Sequence, residues 1–181
     1  MPKFAQVDSE GRLWQVTDLL SAEQVQAILA VDWTSLATVK TPQQHFWLRK
    51  QVPWNDPAVE PFVQAINSQL PAINQAIGTT FTQSGGHFWV DQPGFACPMH
   101  TDGELQNSMQ IYWIVPGAEY GTGFYNNKRG DLLYQFASLV NTGYLMLNHP
   151  NADGSQPLMW HAMLNPVPEG TIRVSSYWQF K

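Results

Sequence analysis

The ten residues Thr171-Ile172-Arg173-Val174-Ser175-Ser176-Tyr177-Trp178-Gln179-Phe180 decide the class of fold. Strand side chains alternate between faces, so Ile172, Val174, Trp178 and Phe180 share one face and Arg173, Ser175, Tyr177 and Gln179 the other. The apolar face calls for a core behind it. The polar face, with its fixed charge, is either solvated sheet surface or the lining of a site. A guanidinium with a hydroxyl two residues on can hold one carboxylate through charge-assisted hydrogen bonds.

Moving towards the N-terminus, short apolar runs broken by Gly, Pro and Asn continue as far as Gly78. They predict strands at Thr79-Thr82, His87-Asp91, Met109-Val115, Gly123-Tyr125, Tyr144-Asn148 and Leu158-Leu164, with turns such as Gln92-Pro93-Gly94 and Asp153-Gly154 between them. Many short strands at this spacing predict a sandwich or jelly roll. Before Gly78 the period is helical. Ser21 with Gln24 forms a capping-box pattern ahead of Val25, Ile28 and Leu29. Pro57 can open a second helix through Phe62, Ile66, Leu70 and Ile73 to Ile77, kinked or divided at Pro71. Gly11-Arg12-Leu13-Trp14-Gln15-Val16 is a short opening strand. The expected architecture is mainly β with N-terminal supporting helices. It forms one domain over residues 1–181, with 1–78 mostly helical support and 79–181 the core.

Charged residues make up 13% of the 181 positions, about half the roughly 25% usual for soluble domains, so neutral polar groups must wet the surface. The net charge is −5 and the basic residues are scattered, with adjacent pairs at Arg49-Lys50 and Lys128-Arg129. No nucleic-acid partner is expected without a clustered basic face. The sequence has neither an apolar leader core nor a segment apolar enough to span a bilayer, so no membrane partner and a cytoplasmic location are expected. The single Cys97 cannot form an intrachain disulfide; it reads as a small buried hydrophobe or a metal ligand.

In Met99-His100-Thr101-Asp102-Gly103, an imidazole and a carboxylate two residues apart on an extended segment point the same way. The pair is either a polar turn closed by Gly103 or two legs of a metal site. His161 lies in the apolar run Leu158-Met159-Trp160-His161-Ala162-Met163-Leu164. It is either a core imidazole bonded to backbone or the third leg. Two histidines and one carboxylate, leaving coordination positions open, suit non-haem Fe(II) better than a structural zinc, which usually takes four protein ligands. Tyr112 and Gln110 share a strand face, and Tyr112 reads as a core tyrosine with a satisfied hydroxyl or as a residue facing a site. Trp47 and Trp54 belong to either a cleft wall or loop aromatics at the core edge, and His45, with no partner in sequence, reads as a surface or core histidine. His87 and His149 suit surface or supporting roles, and Asn126-Asn127-Lys128-Arg129-Gly130 a solvated loop near the mouth.

His100-Thr101-Asp102, then His161, then Val167-Pro168-Glu169-Gly170-Thr171-Ile172-Arg173-Val174-Ser175 resembles the motif set of the Fe(II)- and 2-oxoglutarate-dependent dioxygenases, particularly the prolyl-hydroxylase-like branch. His161 follows His100 by 61 residues and Arg173 follows His161 by 12. Tyr120-Gly121-Thr122-Gly123-Phe124-Tyr125 and Thr142-Gly143-Tyr144-Leu145-Met146-Leu147-Asn148 resemble that branch's middle segments in the same order. Gly121-Thr122-Gly123 stands where the branch commonly has Gly-Gly.

The resemblance implies a double-stranded β-helix (a cupin-like jelly roll) with His100, Asp102 and His161 as iron ligands. It makes Arg173 and Ser175, with Tyr112 as a further candidate, the binders of the co-substrate 2-oxoglutarate. O2 is the oxidant, and the reaction is hydroxylation of a C–H bond in a peptide or small molecule, with release of succinate and CO2. Asp102 disfavours the related halogenases, which leave that position open for halide. Two alternatives stand beside this one. A cupin-like metalloprotein of other chemistry would need neither Arg173 nor Ser175, and a non-catalytic jelly-roll binding module would grip its ligand with aromatics such as Trp47, Trp54 and Trp113.

Overall fold

β12 (Arg173–Phe180) pairs antiparallel with β5 (Gln83–Asp91) on one side and β7 (Asn107–Ile114) on the other. The computed structural model of the protein describes residues 1–36, 39–40, 48–102, 107–149, 153–154 and 159–181, with backbone alone at 39–40 and 83–84. Beyond β7 the sheet continues through β10 (Thr142–Met146), β2 (Leu13–Thr17) and β1 (Lys3–Gln6). Beyond β5 it continues through β4 (Arg49–Pro53) and β3 (Val39–Lys40), which makes eight strands. A second sheet of four runs in the order β6 (Cys97–His100), β11 (Trp160–Met163), β8 (Thr122–Tyr125), β9 (Leu132–Phe136). All described pairings are antiparallel.

The alternation read in β12 divides the large sheet into two faces. Val174, Trp178 and Phe180 join Val90, Ile111, Trp113 and Leu145 in one core with residues of the helices. Those helices are α1 (Ala22–Leu29), α2 (Glu60–Asn67) and α3 (Leu70–Ile77). Each has eight residues, too short to persist alone in water, so it is held by the apolar stripe it buries. Burying one such side chain contributes about 1.5–3 kcal/mol. Ser21 caps α1 as expected, with its oxygen accepting from the Gln24 amide and the Gln24 side chain accepting from the Ser21 amide.

Several boundaries differ from the sequence expectation. Pro57 lies in a turn; the helix starts at Glu60, and Pro61 and Pro71 each stand in the first turn of a separate helix. Gly78 ends α3 at a φ of 69°, a left-handed conformation that favours glycine. Thr79-Thr82 is not a strand. Asn74 captures it locally, accepting from the Thr79 hydroxyl and the Phe81 amide and donating to the Phe81 carbonyl. Among the described residues, the first 78 positions contribute four strands as well as the three helices. Leu158, the first residue of the expected strand at 158–164, lies outside the described residues, as do Gly103, His45 and Trp47. Among the described residues, no helix is long and apolar enough to cross a membrane.

Candidate metal and carboxylate site

His100 is the last residue of β6, Asp102 follows two residues later, and His161 lies on β11. β6 and β11 are antiparallel neighbours in a register that pairs His161 with His100. That pairing brings together two residues far apart in sequence, with ring centroids 4.2 Å apart. Asp102 Oδ1 stands 3.5 Å from Nε2 of each histidine. The three candidate ligand atoms all lie within 4.8 Å of one another.

Backbone carbonyls fix the orientation of both rings. His100 Nδ1 is 2.8 Å from the Pro98 carbonyl and His161 Nδ1 is 2.9 Å from the Met159 carbonyl. A carbonyl oxygen only accepts, so each Nδ1 carries a proton and each Nε2 faces Asp102. Phe124, opposite His161 in β8, stacks on its ring with centroids 5.4 Å apart.

Burial works against the charged form of His100, but its hydrogen bond to Asp102, with Cys97 and the Pro98 carbonyl alongside, raises its pKa to about 10. Burial and the neighbouring His100 lower His161 against the pull of Asp102. Asp102, despite its burial, is held below the usual carboxylate range by His100 and His161. One proton on His100 therefore balances the carboxylate. A divalent cation would take over that role and release the proton, because a ligating imidazole must be neutral. Cys97 is buried, with Sγ 3.6 Å from His100 Nδ1 and 4.0 Å from Nε2; it lines the same cavity but is outside the ligand group.

The histidines and Asp102 line a cavity of about 540 Å³ whose opposite wall is the polar face of the large sheet, including Arg49, Trp89, Gln110, Arg173, Tyr177 and Gln179. Arg173 is 1% exposed and grips Asp91 through Nε at 2.9 Å and Nη2 at 2.7 Å, while Nη1 donates to the Tyr120 carbonyl at 2.8 Å. Arg49 grips the same carboxylate from the other side. Burial opposes the ionisation of Asp91, but the two guanidiniums hold it below the usual carboxylate range. Burial likewise opposes the charge on Arg49, and Asp91 raises it.

Ser175 and Tyr112 are fully buried and stand behind the lining. Ser175 Oγ accepts from Gln110 Nε2 at 2.8 Å, and Gln110 Oε1 accepts from the Tyr144 hydroxyl at 2.8 Å. The Tyr112 hydroxyl donates to Thr122 Oγ1 at 2.9 Å, and its ring lies 5.7 Å from the Arg173 guanidinium carbon. Gln110 and Thr122 are the members of these two pairs that reach the cavity. Trp113 is fully buried and donates to Ser176, and Trp54 packs on Trp178.

Sequence reasoning missed Arg49, Asp91, Trp89 and Tyr144. One signal was present: Asp91 ends an otherwise apolar aromatic run and shares the face of His87 and Trp89 by the period of two.

By sequence alone, neither a protein-family model nor a curated protein matches the chain. Solved structures do. A 2OG-Fe(II) oxygenase family oxidoreductase from Burkholderia pseudomallei superposes with a TM-score of 0.68 at 13% identity, over 97% of this chain and 86% of that one. The non-haem α-ketoglutarate-dependent epimerase SnoN of nogalamycin biosynthesis gives 0.67 at 11% identity, over 93% and 77%. A prolyl-4-hydroxylase from Pseudomonas putida gives 0.60 at 18% identity, over 94% and 92%. The class defined is that of the 2OG-Fe(II) oxygenase fold, prolyl hydroxylases included. The resemblance read from the HxD, distal histidine and Arg-x-Ser residues is borne out at this level.

Proposed function

We propose that this chain is a single-domain Fe(II)- and 2-oxoglutarate-dependent dioxygenase that hydroxylates a C–H bond of a peptide or small-molecule substrate. Its two facing sheets are read as a double-stranded β-helix, or jelly roll. The observation that carries the proposal is the convergence of His100, Asp102 and His161, both Nε2 atoms turned inward by carbonyl anchors, across one cavity from a buried arginine. These three residues would hold the iron. Two imidazoles and one carboxylate fit Fe(II) with positions left for exogenous ligands, where a structural zinc would usually have four protein donors.

Bound iron with 2-oxoglutarate and O2 supplies the oxidising power, with succinate and CO2 as co-products. The chain's own residues bind and orient. Arg173 anchors the distal carboxylate of the co-substrate. Ser175 and Tyr112 act from behind by fixing Gln110 and Thr122, and the apolar ring of Phe124 shields one side of His161 from water. Neighbours of this fold include both a hydroxylase and an epimerase, so the reaction follows from the site rather than from the architecture.

The test is an anaerobic titration with Fe(II) and 2-oxoglutarate, following the weak visible charge-transfer band of an iron–keto acid chelate in the parent and in Asp102→Ala. A band that needs both components and is lost in the variant supports the proposal. Iron binding without a band would favour a cupin-like metalloprotein of other chemistry.

A further inference from the structure

β12 turns Arg173, Ser175, Tyr177 and Gln179 to one face, and the six residues of strand between its ends (179 − 173) carry that face about 20 Å from Arg173 to Gln179. A five-carbon acid has four C–C bonds of about 1.5 Å and so spans less than about 6 Å. Anchored at Arg173, it leaves most of the face uncovered. The uncovered part is aromatic and amide. The register sets Tyr177 beside His87 of β5 and Gln110 of β7, and sets Trp89 of β5 beside Gln51 of β4. These five residues and Gln179 all line the cavity. The His87 ring stands between the other two, 4.1 Å from Trp89 at 72° and 5.4 Å from Tyr177 at 27°.

None of the six side chains is charged near neutral pH. Burial, with Arg49 adding to it, lowers His87 to about 4, and burial, with Asp102 adding to it, raises Tyr177 to about 12. The influence of Asp102 on the Tyr177 hydroxyl sets this wall within reach of the histidine–aspartate group across the cavity. Aromatic side chains offer a rigid apolar surface to the flat of a ring, and a carboxamide both donates and accepts, which suits hydroxyl and amide groups. A charged group seated there would give up its hydration with no opposite charge on these six residues. We propose that this wall is the platform for the primary substrate and that it takes an uncharged ring bearing hydroxyl or carboxamide groups. The ring lies against Trp89, His87 and Tyr177, with its polar rim within reach of Gln51 and Gln179. For the acid at Arg173, and for calling the ring a substrate, the inference rests on the function proposed above.

The test is calorimetry on the protein loaded with Ni(II) and 2-oxoglutarate, using two sets of ring probes matched in shape and differing in charge. One set is N-acetyl-L-prolinamide (neutral), N-acetyl-L-proline (an anion) and L-prolinamide (a cation). The other is methyl β-D-glucopyranoside, the corresponding glucuronide and the corresponding glucosaminide. In at least one set the neutral probe is expected to bind at least about tenfold more tightly than either charged one. Preference for the prolinamide identifies a ring within a peptide, and preference for the glucoside a free sugar ring. In Trp89→Leu and in Gln179→Leu the preferred neutral probe should weaken at least about threefold and its advantage over the charged probes should shrink. A merely structural role would weaken all three probes alike. Should Trp89→Leu fail to fold, Gln179→Leu and Trp89→Phe carry the comparison. Failure of both neutral probes to bind, a charged probe binding as tightly as its neutral partner, or the parent's preference persisting in the variants overturns the inference. The metal-free protein separates this result from that of the proposed function. A neutral probe that binds there in a Trp89-dependent way, while neither Ni(II) nor 2-oxoglutarate binds, retires the function and leaves the platform standing. Uptake of Ni(II) and 2-oxoglutarate with no ring probe bound retires the platform alone.

Discussion

His87 illustrates how one residue can report on its surroundings. It lies on the cavity wall between Trp89, at a centroid distance of 4.1 Å, and Tyr177, at 5.4 Å. Burial, reinforced by the positive charge of Arg49, lowers its pKa from 6.5 to about 4. In the unfolded chain it takes up a proton near pH 6.5, whereas the native state resists until about pH 4. The unfolded state therefore binds more protons across that window, and stability falls as pH is lowered through it. The shift corresponds to a loss of about 3 kcal/mol at the acid end, from 1.36 kcal/mol per pKa unit. Above pH 6.5 the contribution vanishes, since His87 is neutral in both states. Urea unfolding of the parent and of His87→Phe at pH 7.5 and 4.5 separates this contribution from that of the carboxylates. The parent should lose about 2–3 kcal/mol more than the variant on acidification. Equal losses would mean that His87 is not kept neutral by the fold.

At the scale of elements, what was legible in the sequence was what local periodicity writes. The two faces of β12 and the cap of α1 are set by residues within ten positions of one another. The HxD pair, the distal histidine and Arg173 were legible through their order and through resemblance. Lateral pairing was not legible. β4 offers a single fully buried side chain, Val52, and ends in a proline, so no alternation announced that it would bring Arg49 beside Asp91. β6 has four residues including Pro98, and the pairing of its His100 with His161 is fixed by sheet register, a non-local property. β10 carries a consequence of the same kind. Gly143 sits opposite Ile111 of β7, and a Cβ there would collide with the backbone carbonyl of Gln110. β7 would have to move away, and the Tyr144–Gln110–Ser175 chain beside it would be pulled apart. Gly143→Ala is therefore expected to cost at least about 1–3 kcal/mol, as overpacking does. It should also weaken 2-oxoglutarate binding while leaving Ni(II) affinity near that of the parent, since the proposed metal ligands His100 and His161 belong to the other sheet. Denaturant unfolding and calorimetry on the same variant check both halves.

Across the whole molecule the residues of the proposed site are divided between the two sheets. His100 and His161 belong to the four-stranded sheet, with Asp102 just beyond the end of β6, and the arginines belong to the eight-stranded one. A metal ion alone would close contacts within one sheet. A keto acid held by that ion at one end and by Arg173 at the other would tie the sheets together across the cavity. Ligands that bind only the native state stabilise it by mass action, about 2.7 kcal/mol at a hundredfold excess over Kd. For a chain of this length that amounts to about 5–10 °C in Tm. Ni(II) alone should therefore raise Tm, and 2-oxoglutarate added to the Ni(II) protein should raise it again by a comparable amount. Succinate lacks the keto group that would chelate the ion, and at equal concentration it should add less. In Asp102→Ala the Ni(II) step should shrink sharply. In Arg173→Gln the Ni(II) step should remain and the 2-oxoglutarate step diminish. If 2-oxoglutarate gave the same second step in Arg173→Gln as in the parent, the acid would not span the sheets, and the carboxylate subsite would have to be sought elsewhere on the cavity wall.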